Sequence, residues 1–561
     1  MSTESVSKFG HSIAYGAPGS GASVGRYRPD IDGMRAIAVL AVIVNHFDAV
    51  FLPGGFLGVD MFFVISGFVI TTSLIDRDHE RFPALLVDFY SRRIKRLLPA
   101  LVLCVLVTAL LGAVFINPDS AGFSHSMHAG FFALLGVSNI YFFTEALDYF
   151  GLSAKLNLFT HTWSLGVEEQ FYVLFPPLLW LAGRFPRRAD KRKTLLSMLC
   201  VLTLLSVVSF TWLNSVMPDA AYFLMPPRFF ELSAGCLAAI APTWITAELD
   251  RHADALSWLS VALLVGTFCA SADRQAVTMP LVVIASATLI RTSRPPGGLY
   301  HLLTNKWALF VGLASYSLYL WHWTVLSVSR WTIGIDWRTV PFQIAAILLL
   351  GTASYAFIER PLRRAQWSTY KLLTIACGLT ALAASAFAMN KLITTFKGAL
   401  YAGSPVEMAA KGVLTLFDDK SYAGKVIWRA RPCVLSSNDE VGKKIDADIC
   451  SLGGPMQVGP TFLVIGNSFS VAEFEMYSAL YEKGAGKVVV TSSWGAAPVP
   501  EVKIDNPWTL ANQYYWSAII PALSSQLRTG DVLVMINDLS TFTPKVMTAA
   551  EEDSLADLEA G

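Results

Sequence analysis

Twelve runs of near 20 predominantly apolar residues constrain this chain more than any other feature, because lipid or other helices must shelter so long an apolar stretch. They centre on 34–51, 57–75, 98–116, 127–144, 163–183, 195–213, 228–244, 256–271, 276–291, 307–328, 338–358 and 371–391. Beyond 391 the hydropathy falls, and 400–561 reads as a separate soluble domain. Composition agrees: 54% of the 561 residues are hydrophobic and 15% charged, whereas a soluble globular chain carries about 25% charged residues. The formal net charge of +1 argues against nucleic acid as a partner. No secretory leader pattern opens the sequence, and residues 1–26, rich in Gly and Ser, read as a disordered cytoplasmic tail.

Charge orients the runs, since basic loops belong on the cytoplasmic side. The strongest are "RDHERFPALLVDFYSRRIKR" (77–96), "RFPRRADKRK" (184–193), "RTSRPPGG" (291–298) and "ERPLRR" (359–364). Twelve crossings would put the loops after 183 on the wrong side. If 120–161 instead folds back on the outer side, every basic loop falls inside. The expectation is therefore eleven transmembrane helices and one re-entrant outer segment, with the N-terminus in and the C-terminal domain out.

Ionisable residues inside the apolar runs are costly and mark function or pairing. "RAIAVLAVIVNHF" (35–47) carries Arg35 at its cytoplasmic end and His46 in its outer half, about 16 Å apart at 1.5 Å per residue. "HTWSLGVEEQFYVLF" (161–175) brings Glu168 and Glu169 one to two turns below the outer surface, and "SYSLYLWHWTVLS" (315–327) puts His322 at a similar depth. A histidine with a carboxylate can act as general base toward a hydroxyl. On the inner side "SRRIKRLLP" (91–99) gathers Arg92, Arg93, Lys95 and Arg96 into one turn. Such clusters follow the positive-inside rule, and arginine forks also clamp phosphate. Asp60 and Ser66, in "GGFLGVDMFFVISGF" (54–68), are secondary candidates, although glycines there also serve close helix packing.

These motifs, with "YRPDIDGMRAIAVLAVIVNHF" and "PGGFLGVDMFFVISGFVIT", resemble the membrane acyltransferase-3 family over about residues 27–365. That family includes bacterial O-acetyltransferases of O-antigen, exopolysaccharide and peptidoglycan. Its Arg-x10-His motif maps onto Arg35 and His46, its Arg-x-x-Arg motif onto Arg93 and Arg96, and its Trp-Ser-Leu-x-x-Glu acid onto Glu168. The resemblance implies transfer of an acyl group, usually acetyl, from cytoplasmic acetyl-CoA to a carbohydrate hydroxyl outside, at the bacterial inner membrane and without a metal. The candidate site is then His46, Arg35, Glu168 and His322 for catalysis, with Arg92, Arg93 and Arg96 for CoA phosphates. Two roles stay open for His46, general base or transient acyl acceptor, and two for Arg35, steering CoA or forming a structural pair.

In the soluble part, "TFLVIGNSFS" (461–470), "KVVVTSS" (487–493) and "DVLVMIND" (531–538) read as parallel strands alternating with helices. Ser468 falls on a strand-to-helix turn, where it is either a nucleophile or a helix N-cap. The blocks resemble an SGNH hydrolase-like domain, with Gly466-Asn467-Ser468-Phe469 first, Gly495 next and Asn537-Asp538 as the oxyanion block. That family's catalytic Asp-x-x-His is missing, and no histidine follows His322. A Ser-His pair needs that imidazole, so the domain is expected to be truncated or to have lost catalysis and to bind glycan. The expected organisation is a tail (1–26), the acyltransferase membrane domain (27–365), an additional transmembrane helix (366–392), a periplasmic linker (393–460) and the SGNH-like domain (461–561). Cys433 and Cys450, 17 residues apart in the polar third, are expected to form a disulfide if that region lies outside the cytoplasm. Two other functions fit many helices with buried charges: a transporter or flippase with a glycan-binding outer domain, and an acyltransferase of a small-molecule acceptor.

Overall fold

A computed structural model describes residues 27–77, 81–116, 121–146, 156–184, 190–271, 274–395, 399–402, 420–422, 425–452, 459–467, 470–471, 476–477, 480–481, 483–496 and 508–536. The chain divides into two compact units, Met1–Ala402 and Gly403–Gly561.

The first unit is helical. Its principal helices are α1 (Pro29–Phe47), α2 (Gly58–Leu74), α3 (Phe82–Phe115), α4 (Ala121–Leu134), α5 (Ser138–Ala146), α6 (Trp163–Arg184), α7 (Lys191–Val216), α8 (Met225–Ile240), α9 (Ala253–Phe268), α10 (Gln275–Thr292), α11 (Lys306–Trp331), α12 (Val340–Ser354) and α13 (Lys371–Thr394). Among the described residues, eight helical spans are long and apolar enough to cross a membrane, so the unit is a multi-pass membrane domain. Outer helices bare their apolar side chains as lipid-facing helices do: Leu204, Leu205, Val208 and Trp212 of α7 are each more than half exposed. Helices α1 and α6 are long enough but not among the eight. The first carries Asp30, Asp32 and Arg35 and the second Glu168 and Glu169. The apolar run at 127–144 is broken after Leu134 into α4 and α5, each too short to span the ~30 Å core.

The basic stretch 77–96 departs from expectation. From Phe82 onward it is not a loop but the first part of α3, whose 34 residues extend about 51 Å, well beyond the hydrocarbon core. Arg92 and Arg93 point about 100° apart around this helix, and Arg96, about 40° from the first and about 60° from the second, lies between them.

Two close approaches fix the framework around the site. A Cβ on Gly312 of α11 would lie 1.8 Å from the Asp32 carbonyl oxygen of α1. The same two helices meet again at His46 and His322, so they run parallel and side by side. Between α2 and α8 the contact is reciprocal: a Cβ on Gly67 would lie 1.8 Å from Leu232 O, and one on Gly235 would lie 1.9 Å from Val64 O. Backbone meets backbone there, and no side-chain rotation makes room. Gly235→Ala is expected to cost about 3 kcal/mol, the upper end for overpacking. The check is the unfolding midpoint in detergent, and an unchanged midpoint would refute the packing argument.

The second unit holds a three-stranded parallel sheet of β1 (Thr461–Gly466), β2 (Lys487–Val490) and β3 (Val532–Ile536), with β1 central. The strands fall where the apolar runs place them. The stretch 393–460 is not simply a linker, because Trp428, Cys433, Val434, Cys450 and Leu452 are buried in the core of this unit. Cys433 and Cys450 are joined as a disulfide. Asn467 is buried, and its carbonyl accepts hydrogen bonds from Ser470 Oγ and Ser492 Oγ, 2.8 and 2.7 Å away. Ser468, Phe469, Asn537 and Asp538 lie outside the described residues.

Candidate active site

Helix α1 links two polar layers. Pro29 in its first turn and Asp30 and Asp32 close behind suit a helix N-terminus, where the backbone lacks acceptors and the dipole favours acids. Arg35 follows one turn later, its Nη1 3.6 Å from Asp32 Oδ1. His46 comes in the last turn.

In the histidine layer, His46 Nδ1 lies 2.9 Å from His322 Nε2, and the rings are parallel within 3°. His322 is fully buried, with Nδ1 2.5 Å from the Tyr319 carbonyl oxygen. A carbonyl only accepts, so Nδ1 of His322 carries hydrogen and Nε2 of the neutral ring holds the lone pair. His46 Nδ1 must then donate, which leaves the lone pair of His46 on Nε2. Among the described residues that nitrogen has no protein partner. Arg330 fastens the end of α1 through a 2.7 Å bond to the His46 carbonyl and lies 5.0 Å from the Trp323 ring centre. Trp323 meets the His46 ring edge-on at 4.7 Å.

The second layer gathers the arginines. Arg93 lies over the rings of Tyr172 and Phe89, 4.8 and 5.4 Å from their centres. It is within electrostatic reach of Arg96, Glu168 and Glu169, and Arg96 is within reach of Arg35. Neither Arg93 nor Arg96 forms a salt bridge among the described residues. Arg92 differs from expectation: its Nη1 is bonded to Asp88, which also takes Arg77 at 3.1 Å and Lys371 at 2.7 Å. Arg92 is thus committed to a charge hub that ties α13 to α3.

Glu168 needs a revised position. The sequence reading set it beside His46 and His322, but it is seven residues beyond His161, about 10 Å further along the chain if helical. Its two oxygens accept from Ser66 Oγ at 2.6 Å and Tyr172 Oη at 2.8 Å. Glu168 therefore faces the arginine layer, and Ser66 joins it there. Asp60 belongs to neither layer. It lies 3.4 Å from Arg228 Nη2, and Arg228 Nε lies 3.0 Å from Glu231 Oε1, all three being buried.

Sequence reasoning missed three groups. Glu359 accepts from Ser317 Oγ at 2.8 Å and is close to Arg35. Tyr319 bonds the His161 carbonyl at 2.8 Å. His161 itself packs against His322, with ring centres 6.0 Å apart. Only His161 had a usable signal, standing at the head of the motif that supplied Glu168.

Residues 28–359 match the acyltransferase domain family known as acyltransferase-3. The chain is similar to the O-acetyltransferase OatA of Staphylococcus aureus, 32% identical over 365 residues, covering 62% of this chain and 59% of that protein. It is also similar to the peptidoglycan O-acetyltransferase OatA of Listeria monocytogenes, 31% identical over 367 residues, covering 62% of this chain and 57% of the relative. The chain thus spans under two thirds of the length of these curated relatives. No solved structure matches it. With more than half of its length inside the family match, and its polar residues gathered along the helices so matched, the chain belongs to the acyltransferase-3 family.

Proposed function

We propose that this protein is a membrane O-acetyltransferase that moves an acetyl group from cytoplasmic acetyl-CoA to a hydroxyl of a cell-envelope polysaccharide on the outer face. One observation carries the reading: α1 ties a cluster of arginines, of which Arg93 and Arg96 form no salt bridge among the described residues, to a histidine whose free nitrogen presents a lone pair. The first suits the phosphates of CoA, and the second suits a hydroxyl that must lose its proton. The curated relatives, one of them named for peptidoglycan, support a cell-wall glycan as acceptor.

In the proposed reaction the acceptor oxygen attacks the thioester carbonyl carbon while His46 Nε2 takes its proton. The tetrahedral adduct then collapses, the carbon–sulfur bond breaks, and the departing thiolate recovers that proton as CoA thiol. His322 touches no reactant. It is a positioning residue that holds the tautomer of His46. Arg35, Arg93 and Arg96 hold the donor, while Glu168 orients Tyr172 beneath Arg93.

Eleven crossings of the bacterial inner membrane complete the reading, with the N-terminus cytoplasmic and the second unit outside. The parallel run of α1 and α11 supports this count. With 120–161 folded back, α11 is the ninth crossing and shares the direction of the first. With twelve crossings it would be the tenth and antiparallel. The disulfide is consistent with an oxidising compartment for the second unit. We propose an SGNH-like fold for that unit, with glycan binding as its role.

The test uses inside-out membrane vesicles loaded with a peptidoglycan fragment, with labelled acetyl-CoA in the medium. Label should appear as a base-labile ester on the enclosed glycan, and vesicles of the opposite orientation should give none. No label in either orientation would overturn the reading. In the same vesicles, Arg93→Ala with Arg96→Ala should weaken acetyl-CoA binding about 100-fold, since each charge-assisted contact contributes about 1.5–3 kcal/mol. Arg92→Ala should change it less than about threefold. Equal losses at all three positions would remove the distinction between Arg92, which is held by Asp88, and the two arginines that form no salt bridge among the described residues.

A further inference from the structure

The ring nitrogens of the histidine layer divide unequally. His322 has neither to spare, because Nδ1 meets the Tyr319 carbonyl and Nε2 meets His46. His46 keeps one. His161 keeps both: it is 2% exposed, and among the described residues neither Nδ1 nor Nε2 has a hydrogen-bond partner. Its ring is enclosed by Tyr319, His322 and Trp323, with centres at 5.8, 6.0 and 6.2 Å.

Nothing local relieves this. The His161 backbone is held by Tyr319 Oη, donating to its carbonyl at 2.8 Å, and by Ser164 Oγ at 3.2 Å. The turn Thr160–Thr162 then leads directly into α6. Leaving a buried polar atom without a partner costs about 1–3 kcal/mol, and here two such atoms share one ring beside the candidate base. Whichever tautomer the neutral ring adopts, one nitrogen is an N–H donor with nothing to donate to.

The acyl-transfer reaction needs such a donor. When the acceptor oxygen bonds to the thioester carbon, the carbonyl electron pair moves onto oxygen, and that oxyanion must be met by fixed hydrogen-bond donors in a dry site. Neither His46 Nε2, which carries the lone pair, nor His322 can serve. We propose that His161 is a catalytic residue whose ring N–H donates a hydrogen bond to the acyl carbonyl oxygen as it becomes the tetrahedral oxyanion. The proposal rests on the acyltransferase reading above. His161 keeps its proton throughout: the acceptor's proton passes to His46 and then to the leaving sulfur.

The experiment compares wild type, His161→Phe, His161→Gln and His46→Ala, each as the full chain in the vesicle assay, with melting in detergent as a second readout. Phenylalanine keeps the ring and removes both orphaned nitrogens, so the melting temperature should be unchanged or higher. Removal of an oxyanion donor should lower kcat about 100- to 1000-fold with KM for acetyl-CoA unchanged, and glutamine should restore at least tenfold of that loss through its amide N–H. A His161→Phe variant that keeps wild-type kcat while His46→Ala is inactive overturns the proposal and leaves the acyltransferase reading standing. A loss accompanied by lower melting, or not recovered by glutamine, also overturns it by showing a structural role. If wild type transfers no acetyl group, the acyltransferase reading falls and takes this proposal with it.

Discussion

His46→Ala is expected to reduce acetyl transfer by about 10³- to 10⁴-fold, at and just below the ceiling for loss of a positioned general base, while acetyl-CoA binding changes less than threefold. The reason is geometric. His46 has its Nδ1 engaged by His322, which leaves its lone pair on Nε2, and the arginines proposed to hold the donor gather about Arg35 at the other end of α1. His322→Phe should be milder, about 10- to 100-fold in kcat with KM unchanged, because His46 keeps its place on α1 but loses the acceptor that fixes its tautomer. The measurement is steady-state transfer from labelled acetyl-CoA, paired with binding of unlabelled donor. If His322→Phe costs as much as His46→Ala, His322 is more than a positioning residue. If His46→Ala transfers acetyl normally, the base is elsewhere.

What the sequence discloses and what it withholds follow from the range of the interactions. Apolar runs are a local property, so the helices and the parallel strands at 461–466, 487–490 and 532–536 fall where hydropathy puts them. The break in the run at 127–144 is also legible, because "GVSN" interrupts it. Depth is less legible. Counting residues from a presumed surface put Glu168 level with His46, but the partners that decide its environment, Ser66 and Arg93, come from other helices. The arginine cluster was misread for a different reason. Basic residues suggest a loop by composition, whereas a helix continuing beyond the hydrocarbon core satisfies the same charge rule, and the partners then sort the arginines: Asp88 holds Arg92, while Arg93 lies over the Tyr172 and Phe89 rings. Pairing is hardest of all. His46 and His322 are 276 residues apart, and only the parallel docking of α1 on α11 brings them into contact. A separation of 158 residues from Tyr319 likewise concealed His161, whose unpaired ring nitrogens become visible only once Tyr319 and His322 enclose it.

Arg228→Met is expected to destabilise the membrane unit by about 3–5 kcal/mol, the usual cost of removing one member of a buried ionic cluster. Asp60 and Glu231 flank this arginine with relative side-chain exposures of 1% and 0%. Rings of Trp163, Tyr222 and Phe63 surround it at 5.2, 5.5 and 5.6 Å. Desolvating three ionisable groups is costly, and the geometry recovers only part of that cost, since among the described residues both Asp60 oxygens, both Glu231 oxygens and Arg228 Nε lack well-aligned hydrogen bonds. The cluster is therefore a poor source of stability as a whole but a severe liability when broken, because methionine would leave two carboxylates facing aromatic rings with no counter-charge. A triple variant, Asp60→Asn with Arg228→Met and Glu231→Gln, removes every formal charge and should recover most of the lost stability. Its transfer activity should remain within about tenfold of wild type, because neither polar layer of α1 includes these residues. Denaturant midpoints in detergent for the single and triple variants decide the matter. A single variant as stable as wild type would show that Arg228 does not hold α2 to α8, and a triple variant that folds but transfers no acetyl group would place the cluster inside the catalytic machinery.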